Sequence, residues 1–265
     1  MAAAAPVIAA GPLRASSARR VFAVRVAIVL TVLAAWQALA LSGLLFRDVV
    51  PPLQAIGQAV VTLLGRADFY ANLGVTAMEI GIAVLIGGLA GLAVGIALGA
   101  NRFLSNAFEA LLLYLGPTPK IVFLPVMIMW FGVGVGSKIA MGVLSCFFPV
   151  AISAAAGMRE IDAVLIRVGK SFRASTWKMI VSIYLPAMRQ PVVNGFRLGL
   201  GVAIIGTLLA ETKLSNKGLG YLVIQAYATF DMPRMYALLI VLFVLSIGVN
   251  ALIGRLGRGD RRSIA

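Results

Sequence analysis

Six apolar runs divide this chain, near residues 22–45, 74–99, 107–132, 139–157, 191–210 and 236–254. Most approach the ~20 residues that an α-helix needs to cross a bilayer. The third is irregular: GPTPK at 116–120 interrupts it and Pro125 follows, so it reads as a short interfacial piece followed by a short span. Between the fourth and fifth runs the pattern changes. Ile161, Val164, Leu165, Val168 and Phe172 fall on one helical face. Arg173-Ala174 breaks that helix, and Ser175 or Thr176 can cap a second one carrying Trp177, Ile180, Val181 and Tyr184 at helical spacing, with Pro186 ending it. The expectation is an all-α polytopic membrane protein with about six spans and a helix–turn–helix at 160–186. The alternating, turn-rich segments of a membrane β-barrel are absent.

Composition agrees with that class. The 265 residues are 61% hydrophobic and 12% charged, with a mean hydropathy of +1.01, whereas soluble domains carry roughly 25% charged residues. Net charge is +14, yet the cations cluster at the ends of apolar runs, which is a topology signal and argues against a nucleic-acid partner. With the N-terminus inside, the inner segments hold Arg14, Arg19, Arg20, Arg102, Arg159, Arg167, Lys170, Arg173, Lys178, Arg189, Arg255, Arg258, Arg261 and Arg262. The outer ones hold Arg47, Arg66, Lys138, Lys213, Lys217 and Arg234, while Arg25, Lys120 and Arg197 lie at span edges or within spans. Fourteen cations inside against six outside place both termini in the cytoplasm and the chain in an inner membrane. Ala38-Leu39-Ala40 looks like a signal-peptidase site, but the run is long and follows an Ala-rich tail, so an uncleaved first span is expected. The organisation reads as a disordered tail at 1–21, a membrane domain at 22–257 and a short tail at 258–265.

The side-chain inventory excludes most catalysis. There is no histidine and one cysteine, Cys146, so a Ser–His dyad and an intrachain disulfide are impossible. Asp48, Asp68, Asp162, Asp231 and Asp260 all fall between runs or in the tail, leaving no paired-aspartate site within spans. No metal site is expected. GVGVGSK at 132–138 has Gly-Ser-Lys where a phosphate-binding loop needs Gly-Lys-Ser/Thr, and it reads as a tight outer turn. Gly87, Gly91, Gly95 and Gly99 recur every four residues, a smooth strip for close helix packing, and Gly195 and Gly199 repeat the device. Charges inside a membrane are functional suspects. Lys120 in the broken run is a candidate for lining or gating a path, or for snorkelling to an interface. Glu79 and Glu211, near expected span ends, and Trp130, which closes the third run as an interface anchor, are further candidates for the path or its gate.

Segment 160–186 resembles the EAA loop, written EAA-x3-G-x9-I-x-LP, of the membrane subunits of ATP-binding-cassette importers. Ile183, Leu185 and Pro186 match its end, Ala174-Ser175 match the pair that often follows its glycine, and Trp177 falls where one branch carries tryptophan. PTPKIVFLPVMIMWFGVG (117–134), Arg197, Ala210-Glu211, GLGYLV (218–223) and MPRMYA (232–237) resemble the nitrate/sulfonate/taurine/bicarbonate branch. The chain departs from the motif where Arg167-Val168-Gly169 replaces Glu-Ala-Ala and Arg173 replaces the glycine. The resemblance implies a permease that forms the translocation path for a small, anionic solute, with no cofactor of its own. It also implies a second permease copy in a homodimer, a periplasmic solute-binding protein and two cytoplasmic ATPase subunits, which bind ATP and Mg. Each ATPase would receive residues 160–186 in a surface cleft. Trp177, Ile180 and Tyr184 are the candidate anchors, in that cleft or against the permease's own base, and Ala174 is the position where bulk disrupts docking most. The alternative is an ion-driven secondary carrier, which predicts paired carboxylates at mid-membrane and an inverted repeat.

Overall fold

A computed structural model describes residues 15–43, 49–213 and 215–256. The expectations for 1–14 and for the tail 258–265 lie outside the described residues, as do Arg14, Arg47, Asp48, Arg258, Asp260, Arg261 and Arg262. Among the described residues the regular elements are all helical. In order they are α1 (Ala15–Leu41), α2 (Leu53–Leu64), α3 (Ala67–Ala100), α4 (Arg102–Leu115), a 3-10 turn at Lys120–Phe123, α5 (Leu124–Phe131), α6 (Val135–Arg159), α7 (Ala163–Ser171) and α8 (Thr176–Met179). A π turn at Ile180–Tyr184 follows, then α9 (Leu185–Ala187), α10 (Arg189–Lys213), α11 (Leu219–Ala228) and α12 (Met232–Leu256).

The chain divides into two compact units, 1–59 and 60–265. In the first, the Trp36 indole donates to the Pro51 carbonyl at 3.1 Å and the Leu53 amide to the Gln37 side chain at 3.0 Å. Helix α1 begins at Ala15, inside the stretch 1–21 expected to be a disordered tail. The apolar count marks where a span enters lipid, and Arg19 and Arg20 simply extend the helix beyond that point.

The second unit is built on three helices, with α6 between α3 and α10. A Cβ placed on Gly87, Gly91 or Gly95 of α3 would lie 2.5–2.6 Å from the backbone carbonyls of Val143, Phe147 and Ala151, and one on Gly99 would overlap Met158. The glycine row thus faces the row 143, 147, 151 of α6, one turn per step, with backbone on backbone. On the other side, a Cβ on Gly195 or Gly199 of α10 would meet Ser153 Cβ at 2.8 Å and Cys146 Sγ at 2.9 Å. Gly142 of α6 faces both Ala83 and Thr207 at 2.6 Å by the same measure.

Among the described residues, five helices are long and apolar enough to cross a membrane, and the pair α4/α5, bent by 96°, makes a sixth candidate. The contacts of that pair follow α6 in order. Glu109 pairs with Arg159, Gly116 faces Ile152, Lys120 lies over the Phe148 ring, and Leu124 packs with Met141. The broken segment therefore traverses the same depth as α6. Two short apolar helices, α2 and α11, lie between the long runs, where hydropathy alone shows nothing of span length. At one end of the unit, Ala154, Met158, Ile161 and Met188 form a core with Tyr184 and Val192 against it. At the other, Leu63, Phe69, Leu219, Leu222, Ala226 and Leu238 form a second core.

Gly91→Leu is expected to abolish a monodisperse, folded species in detergent, because its side chain would occupy the backbone of α6. Gly81→Leu, on the same helix but with nothing within 4 Å of its Cβ, should elute and melt like the wild type. Size-exclusion chromatography with thermal melting checks both.

Candidate functional site

The helix pair is built by local capping. Asp162 caps α7, its carboxylate accepting from the Val164 amide at 2.8 Å, and Ser175 caps α8 by accepting from the Lys178 amide at 3.3 Å. The turn between them is a Schellman motif: the Ala174 amide donates to the Gly169 carbonyl at 3.1 Å and the Arg173 amide to the Lys170 carbonyl at 2.9 Å. That motif requires a left-handed residue, and Arg173 takes φ +50°. Arginine therefore stands in a conformation that favours glycine, at a cost of about 1 kcal/mol. Gly169 is buried where the two helices touch, since a Cβ there would lie 2.5 Å from both Ile183 Cδ1 and Met179 Sδ.

Pro186 does not end the second helix, as its type alone suggests. The chain stays helical from Thr176 through Ala187 because the π turn at Ile180–Tyr184 precedes the proline. The wider turn gives room for a ring that lacks an amide and crowds the preceding carbonyl. The apolar side chains divide into two sets. Tyr184, Ile161 and Met188 pack into the protein's own base. Val164, Leu165, Val168 and Phe172 are exposed, Phe172 by 82%, and Trp177 by 74%. Trp177, Ile180, Tyr184 and Leu185 also edge a groove against Leu89, Leu92 and Ile96 of α3. Arg167 stands exposed on the outer face of α7.

At the opposite end of the three-helix core lies a cluster that hydropathy misplaces. Glu79 and Glu211, expected near span ends, are both 0% exposed, and Lys138, expected in an outer turn, is 3% exposed. The turn covers only Gly132–Gly134; α6 starts at Val135 and carries Lys138 inward on its first turn. The Lys138 ammonium lies 3.5 Å from Glu79 Oε1 and donates to Ser215 Oγ at 2.6 Å. Glu211 accepts from Thr76 Oγ1 and from the Gly220 amide, both at 2.6 Å. The Glu79 carboxyl faces Glu211 and Lys138 and, among the described residues, receives no hydrogen bond. Asn72 and Thr76 in turn accept from the amides of Gly218 and Leu219 at 2.7 and 2.8 Å.

Four elements thus close on one buried ion pair. Loss of one partner from such a pair costs about 3–5 kcal/mol. Gly218, at φ +105°, and Gly220 are required here, because a Cβ on either would run into Glu211. Two carboxyls do meet inside the bundle, but both are sealed, so neither borders a water-filled path in this structure. Glu79 and Glu211 stood out as charges at apolar runs, but no sequence signal joins them to each other or to Lys138, and Thr76, Asn72 and Ser215 carry none.

Lys120 serves the bend. Its ammonium donates to the carbonyls of Gly116 and Leu115 at the end of α4 and stands 5.2 Å over the Phe148 ring. Trp130 is 71% exposed near the end of α5.

A glycine-packed bundle of membrane helices with an exposed helix–turn–helix between α6 and α10 defines a polytopic membrane subunit. The chain belongs to the family of binding-protein-dependent transport system inner membrane components, whose pattern matches residues 87–262. It is similar to the taurine transport system permease protein TauC of Escherichia coli, at 31% identity with 87% of this chain and 86% of the relative covered. The putative aliphatic sulfonates transport permease protein SsuC of Bacillus subtilis is 28% identical over 81% of this chain and 78% of its own. The fold matches a chain of the inward-facing MetNI methionine ABC transporter with a TM-score of 0.63, at 21% identity, over 71% of this chain and 93% of that one. The protein is a permease subunit of an ATP-binding-cassette importer and a multi-pass inner-membrane protein.

Arg173→Gly should relieve the left-handed strain and slow hydrogen exchange at the Ala174 amide about fivefold, the equivalent of ~1 kcal/mol. Exchange that is unchanged or faster would mean that Arg173 is not strained in this turn.

Proposed function

We propose that residues 160–186 are the segment through which this permease engages a cytoplasmic ATPase subunit. The carrying observation is the exposed apolar face of α7. Val164, Leu165, Val168 and Phe172 project from a short, capped helix pair ringed by Arg167, Lys170, Arg173 and Lys178. Exposed apolar surface of this kind, outside the spans, calls for a partner, and a short apolar-faced helix suits a groove. On this reading Val168 and Phe172 enter the ATPase cleft and Trp177 borders it. Ile183 and Tyr184 hold the pair to the permease, with Leu185 and Pro186 carrying the chain into α10. Because the pair joins α6 directly to α10, movement of the ATPase reaches both helices of the three-helix core. ATP and Mg bind to the ATPase, which is a separate subunit, and this chain supplies the mechanical link.

The assembly consistent with this function has two permease copies around a central path and two ATPase subunits. A periplasmic binding protein delivers the solute, and the helix pair and both termini of the permease face the cytoplasm. The positive-inside count supports that orientation. It strengthens once Lys138 is recognised as buried inside the bundle rather than held in an outer loop. The solute is a small organic anion of the sulfonate kind, after the names of the relatives above. Relatives named for formylaminopyrimidine and riboflavin transport are 25% and 29% identical, so the binding protein sets much of the choice.

Co-purification tests the link. Wild type should carry the ATPase encoded with it through affinity purification in mild detergent, while Phe172→Asp and Ala174→Asp elute as folded permease without it. Retention of the ATPase by both variants would place docking elsewhere on the chain.

A further inference from the structure

Arg197 lies two turns into α10 from the end that carries the helix pair, and is the one charged residue between Arg189 and Glu211 on that helix. A charged side chain at such a depth is expensive unless it finds a partner. Its Nε donates to Asn250 Oδ1 of α12 at 3.0 Å, and among the described residues no carboxylate pairs with it. Gly254 makes the placement possible, because a Cβ there would lie 3.2 Å from the Arg197 Cζ and 3.3 Å from Nη1. The guanidinium thus lies across the backbone of α12, its Nε held by Asn250 and neither terminal nitrogen hydrogen-bonded among the described residues. The notch sits one turn from the described end of α12, where a lipid headgroup would lie.

From that cationic end a groove of about 300 Å3 runs between α10 and α12 toward the middle of the bundle. Leu200 and Ile204 line one side; Leu242, Phe243 and Ile247 line the other. Its polar side chains, Ser246 and Asn250, stand on the Arg197 side of α12. Phe243 and Ile247 are each 68% exposed, so the slot is open at the side rather than roofed by protein. An apolar slot whose Asn250 end adjoins a guanidinium with no carboxylate partner among the described residues complements a phosphodiester with an acyl chain. Arginine offers phosphate a planar fork of donors, and basic pockets between helices at the cytoplasmic side of a membrane suit anionic lipid headgroups. Arg255, on the last described turn of α12, adds positive charge at the same end.

We infer that the α10/α12 groove is a binding site for an anionic phospholipid of the inner leaflet, its phosphate held by Arg197 beside Asn250 and one acyl chain laid along the slot. The inner-leaflet assignment rests on the orientation proposed above; the site itself does not depend on docking of the ATPase.

The test compares thermal melting of the purified protein in phosphatidylcholine nanodiscs with that in nanodiscs containing phosphatidylglycerol. Wild type should gain melting temperature as the phosphatidylglycerol fraction rises. Arg197→Gln should lose more than half of that gain while melting normally in phosphatidylcholine. Gly201→Leu provides a second route, because it fills the slot from a position with nothing within 4 Å of its Cβ. It should lose the gain with Arg197 intact, and it decides the matter if Arg197→Gln does not fold. Three results would overturn the inference. One is an equal gain in wild type and both variants. Another is a full gain from millimolar inorganic phosphate in phosphatidylcholine alone, which would make this a free-anion site. The third is disulfide cross-linking of Phe243→Cys to its counterpart in a second copy in both lipids, which would place a second permease copy over the groove.

Discussion

Everything in the larger unit depends on how closely α3 and α10 approach α6. In a bilayer, lipid tails are as apolar as leucine, so burying apolar side chains supplies little drive for helices to associate. Contact between backbones and small side chains supplies it instead. The row Gly87, Gly91, Gly95 and Gly99 brings α3 onto the carbonyls of α6, and Gly195 and Gly199 bring α10 onto its opposite flank. Without that approach Glu79, Lys138 and Glu211 could not share one site, because each comes from a different helix of the three. The helix pair depends on it too, since α7, α8 and α9 are the connection from α6 to α10 and rest on Met158 and Met188 at the base of the same stack.

The two ends of this core are finished differently. At one end the charges are enclosed: an ammonium and two carboxyls, with Thr76, Asn72 and the amides of 218–220 binding the connection after α10 back onto α3. A buried network of this type holds a geometry more than it adds net stability, because desolvation offsets much of the attraction. At the other end the helix pair presents apolar side chains outward and accepts left-handed strain at Arg173. A closed end and an open end suit a subunit that is pushed from one side and must carry the movement as a unit.

Much of this was legible in the chain. Length and hydropathy give the spans, the four-residue glycine spacing gives the packing face of α3, and the helical periodicity of 161–172 gives α7. The glycine missing at 173 locates the strained turn, which the structure finds at that residue. The buried cluster was not legible, and the reason is physical. Thr76 and Glu211 are 135 residues apart, and no local period links residues that meet only through helix packing. Lys138 was misplaced because hydropathy shows where charge is sparse, not whether a charge near a helix end turns toward lipid, water or protein. Helices α2 and α11 were missed because a length test tuned to spans passes over short apolar helices, and Pro186 misled because a π turn can carry a helix into a proline.

In the orientation proposed above, the helix pair faces the cytoplasm and the turn over the buried cluster faces outward. The chain suits a direct measurement, because its one cysteine, Cys146, is buried. Single cysteines at Phe172 and at Lys217 would be labelled with a membrane-impermeant maleimide, in intact cells and in inside-out vesicles. The account predicts that Lys217→Cys labels in cells and Phe172→Cys only in vesicles. Labelling of Phe172→Cys in intact cells would contradict it, and with it the docking of an ATPase on residues 160–186.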